Sequence, residues 1–226
     1  MDRKNETEEI AGFASAEERA EDVAYLAANG SSGLLKEARY QESTAIYVED
    51  RTLTSAGRCR FVEDTIAFNP DLMPETARGR AAVRWHEVMH RADYKKYCSW
   101  ENEDFLKEID NAKKLLKPMN GRNPPFFDMV LKAANVGIRD GVTYEVNIPT
   151  MEGIEAIHDI LSALREGKNE GLLSYHDEAY WQEWDGLTPI EIFAEIGVLD
   201  LMDRSGLRVI ETYFNGLFNA YRRIVE

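Results

Sequence analysis

A helical stripe in residues 74–98 is the strongest constraint on how this chain folds. Its apolar side chains recur at the spacing that puts them on one face of an α-helix packed against a core. They are Ala81, Trp85, Val88 and Ala92. Pro74, which is followed directly by an acid, is typical of a helix start. We therefore predict an amphipathic helix over residues 74–98.

Two histidines lie four residues apart on this predicted helix, and an acid follows the first. His86 and His90 project from one helix face, where both imidazoles can bind one zinc ion. Glu87 is then placed to act as general base toward a water activated by that ion. The alternative is that the two histidines only line a polar groove. We favour the zinc site.

A third metal ligand is expected, because a catalytic zinc site uses three protein ligands and keeps one open position. The helix predicted over residues 189–202 carries two acids four residues apart, Glu191 and Glu195. Glu191 could instead pair with Thr188 in a capping box, and Glu195 could be a solvent-exposed acid. We favour Glu191 as the ligand and keep Glu195 as the alternative.

Four further polar residues have expected roles. Asp93 lies on the side of the helix that carries the histidines, as a partner or alternative ligand at the site, or else as an exposed acid paired with Lys96. Tyr175 and His176, in a stretch with loop character, could donate a hydrogen bond to an oxyanion during catalysis. His158, within an apolar helical pattern, is expected to be structural.

The rest of the chain predicts a mainly helical α+β fold with a small sheet before the histidine helix. Strand patterns cover residues 43–49 and 60–68, joined by a turn around Gly57. Helical spacing covers residues 101–116, 125–134, 151–165 and 207–225. In the last segment the apolar residues either cover the core, which we favour, or form a docking surface.

We expect two parts along the chain. Residues 1–33 form a helical or flexible acidic arm, in which Ser15 and Glu18 have the spacing of a capping box. Residues 34–226 form the main domain. The two cysteines, Cys59 and Cys98, do not suggest a disulfide framework, and we expect them to be buried thiols.

Charge excludes some classes of partner. The chain has 41 acidic and 27 basic residues and a net charge of -14, which repels nucleic acid and anionic membrane surfaces. No apolar run approaches the roughly 20 residues that span a bilayer, and the polar start lacks the apolar stretch of a signal peptide. These features predict a cytoplasmic protein.

These motifs resemble the zincin superfamily, and within it the branch that includes the catalytic domain of anthrax lethal factor. The resemblance rests on His86-Glu87-x-x-His90-x-x-Asp93 and on Glu191-x-Phe193-Ala194-Glu195. It implies that Glu191 is the third ligand. Many relatives have glycine where this chain has Met89, and the branch has tyrosine where this chain has Trp184.

Residues 159–195 are also similar to metallopeptidase-like domains of phage minor head and prophage proteins. Together the two resemblances imply a zinc metalloendopeptidase that acts on a protein or peptide substrate. The strand predicted at residues 60–68 could align an extended peptide as an added strand. A non-catalytic structural or assembly protein of a phage particle, with phage structural proteins as partners, is the alternative. The resemblance to phage proteins implies a location in the cytoplasm of a bacterial host or in a virion. A toxin or effector that cleaves one protein is a third hypothesis.

Overall fold

The computed structural model describes residues 14–29, 32–118, 122–139, 146–167, 171–173, 178–181, 184 and 186–226. It confirms the predicted class, a mainly helical α+β fold with a three-stranded mixed sheet before the histidine helix. The chain divides into two compact units, Met1–Tyr97 and Cys98–Glu226. The boundary expected after residue 33 stays a prediction. None of the described helices is long and apolar enough to cross a membrane.

In its described residues the first unit has three α-helices and three short strands. They are α1 (Ala16–Asn29), α2 (Ser32–Thr44), β1 (Ile46–Glu49), β2 (Gly57–Arg60), β3 (Thr65–Phe68) and α3 (Ala77–Ala92). The capping box before α1 is confirmed. The Ser15 amide donates to Glu18 Oε2 at 2.8 Å, and the Glu18 amide donates to Ser15 Oγ at 3.2 Å.

The sheet differs from the prediction in two places. Residues 60–68 are not one strand, because a turn separates β2 from β3 and places Asp64 at a φ of 54°. Gly57, predicted in a turn, begins β2. The strand order is β1-β3-β2, with β1 parallel and β2 antiparallel to β3. Since β3 is paired on both sides, residues 65–68 have no free edge to which a peptide strand could be added, and β1 and β2 are the two edge strands of this sheet.

Helix α3 is shorter than its sequence pattern suggests. It begins after Thr76, whose side chain accepts a hydrogen bond from the Gly79 amide at 3.0 Å, so this threonine and not Pro74 caps the helix. After Ala92 the chain continues as a π-helical turn over Asp93–Tyr97. The predicted apolar stripe is confirmed, because Trp85, Val88 and Ala92 are fully buried.

Buried ion pairs hold α3 against α1 and α2. The Arg84 side chain, only 2% exposed, forms an ion pair with Asp22 of α1. Its Nε atom also lies 3.0 Å from Oε1 of Glu42 on α2. Trp85 Nε1 donates to Asp22 Oδ2 at 2.7 Å, and Arg19 lies 3.2 Å from Glu42. Burial raises the pKa of Asp22, an effect that the Arg84 guanidinium opposes. Each of these buried charges therefore needs an oppositely charged partner to be stable in the interior of the unit.

Where the structure describes it, the second unit is helical with one two-stranded ribbon. Its elements are α4 (Glu103–Leu116), α5 (Pro125–Val136), β4 (Ile138–Arg139), β5 (Val146–Asn147), α6 (Met151–Leu164), α7 (Glu178–Trp181), α8 (Leu187–Met202), α9 (Arg204–Tyr213) and α10 (Asn215–Val225). Helix α8 packs on α6 and is buried on all sides beyond its first residue. A helix buried in this way forms the centre of its unit.

The end of the chain also differs from the prediction. Residues 207–225 form two helices and not one, because Phe214 leaves the helical region with φ −123° and ψ 46°. The Phe214 ring packs edge-on against Phe126 at 5.5 Å. Most apolar side chains of the predicted stripe are buried, namely Leu207, Ile210, Phe214, Leu217 and Tyr221, and Ile224 is half-buried. These side chains cover the core, as we favour, and docking of a partner on this segment stays a prediction.

We predict that Arg84→Ala lowers the free energy of unfolding by about 3–5 kcal/mol, because it leaves the buried Asp22 carboxylate without its ion-pair partner and Glu42 with Arg19 alone. Urea denaturation measures the change. Arg51→Ala is the matched control, since it removes an arginine whose ion pairs are exposed. Equal losses in both variants would contradict the prediction.

Candidate metal centre

His86 and His90 face each other on α3, as their spacing predicts. Their Nε2 atoms lie 2.8 Å apart, and the rings are nearly perpendicular with centroids 4.3 Å apart. His90 is buried and His86 is half-buried. The Phe61 ring lies edge-on to His90 at 6.5 Å and stacks on Tyr94 at 4.8 Å. The two imidazoles thus adjoin an aromatic pair.

Glu87 is buried, with 6% of its surface exposed, and it contacts strand β2. The Cys59 amide donates to Glu87 Oε2 at 2.6 Å. The Cys59 thiol is free and half-buried, and burial raises its pKa, so the thiol stays protonated. This contact between a strand amide and the expected general base was not predicted from the sequence.

Glu191 lies at the start of α8 and is 6% exposed. Helix α8 begins after Gly186 without a side-chain cap, and Thr188 lies within the helix, so the alternative of a Thr188 capping box is wrong. The Tyr180 hydroxyl on α7 donates a hydrogen bond to Glu191 Oε1. A hydrogen bond of this kind fixes the orientation of a ligating carboxylate.

Glu195, the alternative ligand, is also buried, with 7% of its surface exposed. The expectation of a solvent-exposed acid is therefore wrong. Burial, the charge of Glu152 and the charge of Glu195 together raise the pKa of Glu155 on α6. Glu195 is thus part of a group of acids along α6 and α8.

Three side chains form a group that could hold a metal ion. His86, His90 and Glu191 each offer one ligand atom, and these atoms all lie within 4.8 Å of one another. The spacing of the two histidines and the added glutamate is that of His-Glu-x-x-His with a separate acidic ligand. Two imidazole nitrogens and one carboxylate oxygen are donors that catalytic metal sites in proteins use.

Asp93 is completely buried, so the alternative of an exposed acid paired with Lys96 is wrong. Lys96 forms its ion pair with Glu37 at 2.7 Å. Burial is the main cause of the raised pKa of Tyr97, and the charge of Asp93 adds to it. A role of Asp93 in orienting a metal ligand stays a prediction.

The remaining site candidates have different outcomes. Tyr175 and His176 lie outside the described residues, and their catalytic roles stay predictions. His158 is structural, as expected: it is buried, and its Nδ1 accepts a hydrogen bond from the Leu173 amide at 2.8 Å. Burial lowers the pKa of His158 and favours the neutral ring. Trp184 is half exposed.

Sequence reasoning considered Tyr180 only as a core or groove aromatic and did not predict its contact with Glu191. It precedes Glu191 by eleven residues and lies on a separate short helix, so no helical period relates the two positions. The lethal factor branch has a tyrosine seven residues before its third ligand, and this chain has Trp184 at that position. The signal that could have identified Tyr180 is its chemistry, as a phenol close in sequence to a proposed carboxylate ligand.

We predict that Tyr180→Phe weakens metal binding at this group about 10- to 100-fold, because it removes the hydrogen bond from Tyr180 to Glu191. Titration of the metal-free protein with zinc in a competing chelator measures the affinity. Tyr40→Phe, at an exposed tyrosine on α2, is the control and should bind zinc as the wild type does. Equal affinity of Tyr180→Phe and wild type would show that Tyr180 does not orient a ligand.

Comparison with known proteins assigns no family: no family model, no curated protein and no solved structure matches the chain.

Proposed function

We propose that this protein is a zinc-dependent metallopeptidase in which His86, His90 and Glu191 bind the ion and Glu87 is the general base. The observation that carries this proposal is the grouping of three ligand atoms within 4.8 Å, with Glu87 next to the first ligand in the chain. Three protein ligands leave a tetrahedral ion one position for water or substrate.

The donor atoms fit zinc. Two nitrogens bound to one tetrahedral zinc ion at 2.0–2.1 Å lie about 3.3 Å apart. The observed separation of 2.8 Å between the two Nε2 atoms therefore needs only a small adjustment of the rings. Imidazole ligands also favour zinc over calcium or magnesium, which prefer oxygen. When bound, zinc supplies Lewis acidity that polarises a carbonyl group and acidifies water.

Glu87 supplies the proton transfers in this proposal. Glu87 directly follows His86 in the chain, and its carboxylate can reach a water molecule beside the two histidines. A Glu87 oxygen accepts the proton as the water oxygen bonds to the peptide carbonyl carbon. The same oxygen then gives that proton to the amine nitrogen as the C–N bond breaks, which returns Glu87 to its starting charge.

A protein or peptide is the proposed substrate. Phe61 and Tyr94 offer an apolar surface beside His90 for a substrate side chain. Phage structural proteins as partners, and a location in the host cytoplasm or a virion, stay predictions.

A second candidate is a scaffold protein that binds the metal ion without peptide hydrolysis. The observation that favours it is the hydrogen bond from the Cys59 amide to Glu87, since a carboxylate that ties β2 to α3 has a structural use. The two candidates differ in what happens when Glu87 is replaced.

We predict that Glu87→Gln keeps one zinc ion per chain and loses about 10²- to 10⁴-fold in peptide cleavage, because the amide cannot act as general base. Zinc is measured by elemental analysis of protein purified without chelator, and cleavage by mass spectrometry of a peptide library. His90→Ala is the control and should lose both zinc and cleavage.

Two outcomes would contradict the peptidase proposal. Unchanged cleavage by the zinc-loaded Glu87→Gln variant would exclude Glu87 as the base. A wild-type protein with one zinc ion per chain and no cleavage of any peptide would favour the scaffold candidate.

A further inference from the structure

Strand β2 contacts Glu87 through its outer edge. β2 pairs with β3 on one side, and on the other side the Cys59 amide donates to Glu87 Oε2 at 2.6 Å. The Gly57 carbonyl accepts a hydrogen bond from Ser55 Oγ at 2.8 Å. Edge-strand amides usually face solvent or another strand. Here one of them binds the carboxylate proposed as the general base.

Gly57 leaves the space that this carboxylate occupies. A Cβ atom at position 57 would lie 2.9 Å from both Cγ and Oε1 of Glu87, and 3.1 Å from Val83 Cγ1. Non-bonded carbon atoms prefer separations of about 3.5–4.0 Å. Any side chain at this position would therefore push the Glu87 carboxylate away or separate β2 from α3.

The two contacts act on the same side chain from the same strand. The Cys59 amide attracts one carboxylate oxygen, and the missing side chain of Gly57 lets the other approach the strand backbone. Glu87 is buried, so a shift of its carboxylate would also disturb close-packed neighbours. The position of Glu87 is therefore set by strand β2 as well as by its own helix.

We propose that Gly57 is a positioning residue for catalysis: it holds Glu87 in place for proton transfer by letting the β2 backbone approach the carboxylate. This inference rests on the proposed role of Glu87 as general base. Displacement of a catalytic group by about 1 Å can cost about 10²-fold in rate. The space at Gly57 therefore governs the rate of the chemical step and not the binding of the metal ion.

We predict that Gly57→Ala lowers kcat about 10²-fold, with KM and zinc content unchanged. Steady-state kinetics on a cleaved peptide and elemental analysis measure these quantities. Gly79→Ala is the matched control, because a Cβ there would lie 2.6 Å from Pro74 Cβ and meets none of the Glu87 atoms. It should lower the unfolding midpoint and leave kcat unchanged.

A kcat of Gly57→Ala equal to that of the wild type would overturn the proposal. An equal fall in kcat for both glycine variants would also overturn it, since crowding anywhere in the first unit would then have the same effect. Arg58→Ala removes an exposed side chain from the same strand and should keep the wild-type kcat.

Hydrogen exchange of the Cys59 amide tests the contact without any need for activity. Glu87→Ala removes the acceptor, and we expect the Cys59 amide to exchange about tenfold faster by NMR. If the Cys59 amide exchanges at the same rate in Glu87→Ala and in the wild type, the proposal is overturned, whether or not the wild type cleaves peptides. If the wild type binds zinc and cleaves no peptide while Cys59 responds as expected, the peptidase function fails and the strand still positions Glu87.

Discussion

The Arg84 guanidinium lies in the interior of the first unit between the carboxylates of Asp22 and Glu42. Each of these charges would be costly to bury alone, so the ion pairs require α1 and α2 to pack on α3. Trp85 follows in the chain and packs into the core while its indole nitrogen donates to Asp22. The next two residues are the first histidine and the proposed base. The buried ion pairs therefore fix the segment of α3 from which the candidate site is built.

Periodicity predicted the helices well and the strands less well. The stripe on α3 is confirmed because helical neighbours lie three and four residues apart, so the sequence itself records which face is buried. The alternation in residues 60–68 continues through a turn that reverses the chain at Asp64, and a pattern of alternating residues cannot reveal such a reversal. Phe214 is a similar case, since the apolar spacing on both sides of it hides the break between α9 and α10.

In the candidate site, too, local geometry could be predicted from the sequence and long-range contacts could not. The facing of His86 and His90 follows from local helix geometry and could be predicted from the sequence. The contacts that orient the acids could not. Cys59 is 28 residues from Glu87, and Tyr180 lies on a different helix from Glu191, so both contacts depend on the folded chain. Burial likewise removed two alternatives that the sequence left open, an exposed Asp93 and an exposed Glu195.

The central claim is that one metal ion binds to His86, His90 and Glu191. Anomalous scattering at the zinc absorption edge, measured on crystals of the zinc-loaded protein, tests it most directly because it locates the ion and its ligands together. We predict one strong peak about 2.0–2.2 Å from both Nε2 atoms and from a carboxylate oxygen of Glu191. A map with no peak at the two histidines, or a peak whose third protein ligand is another residue, would contradict the claim.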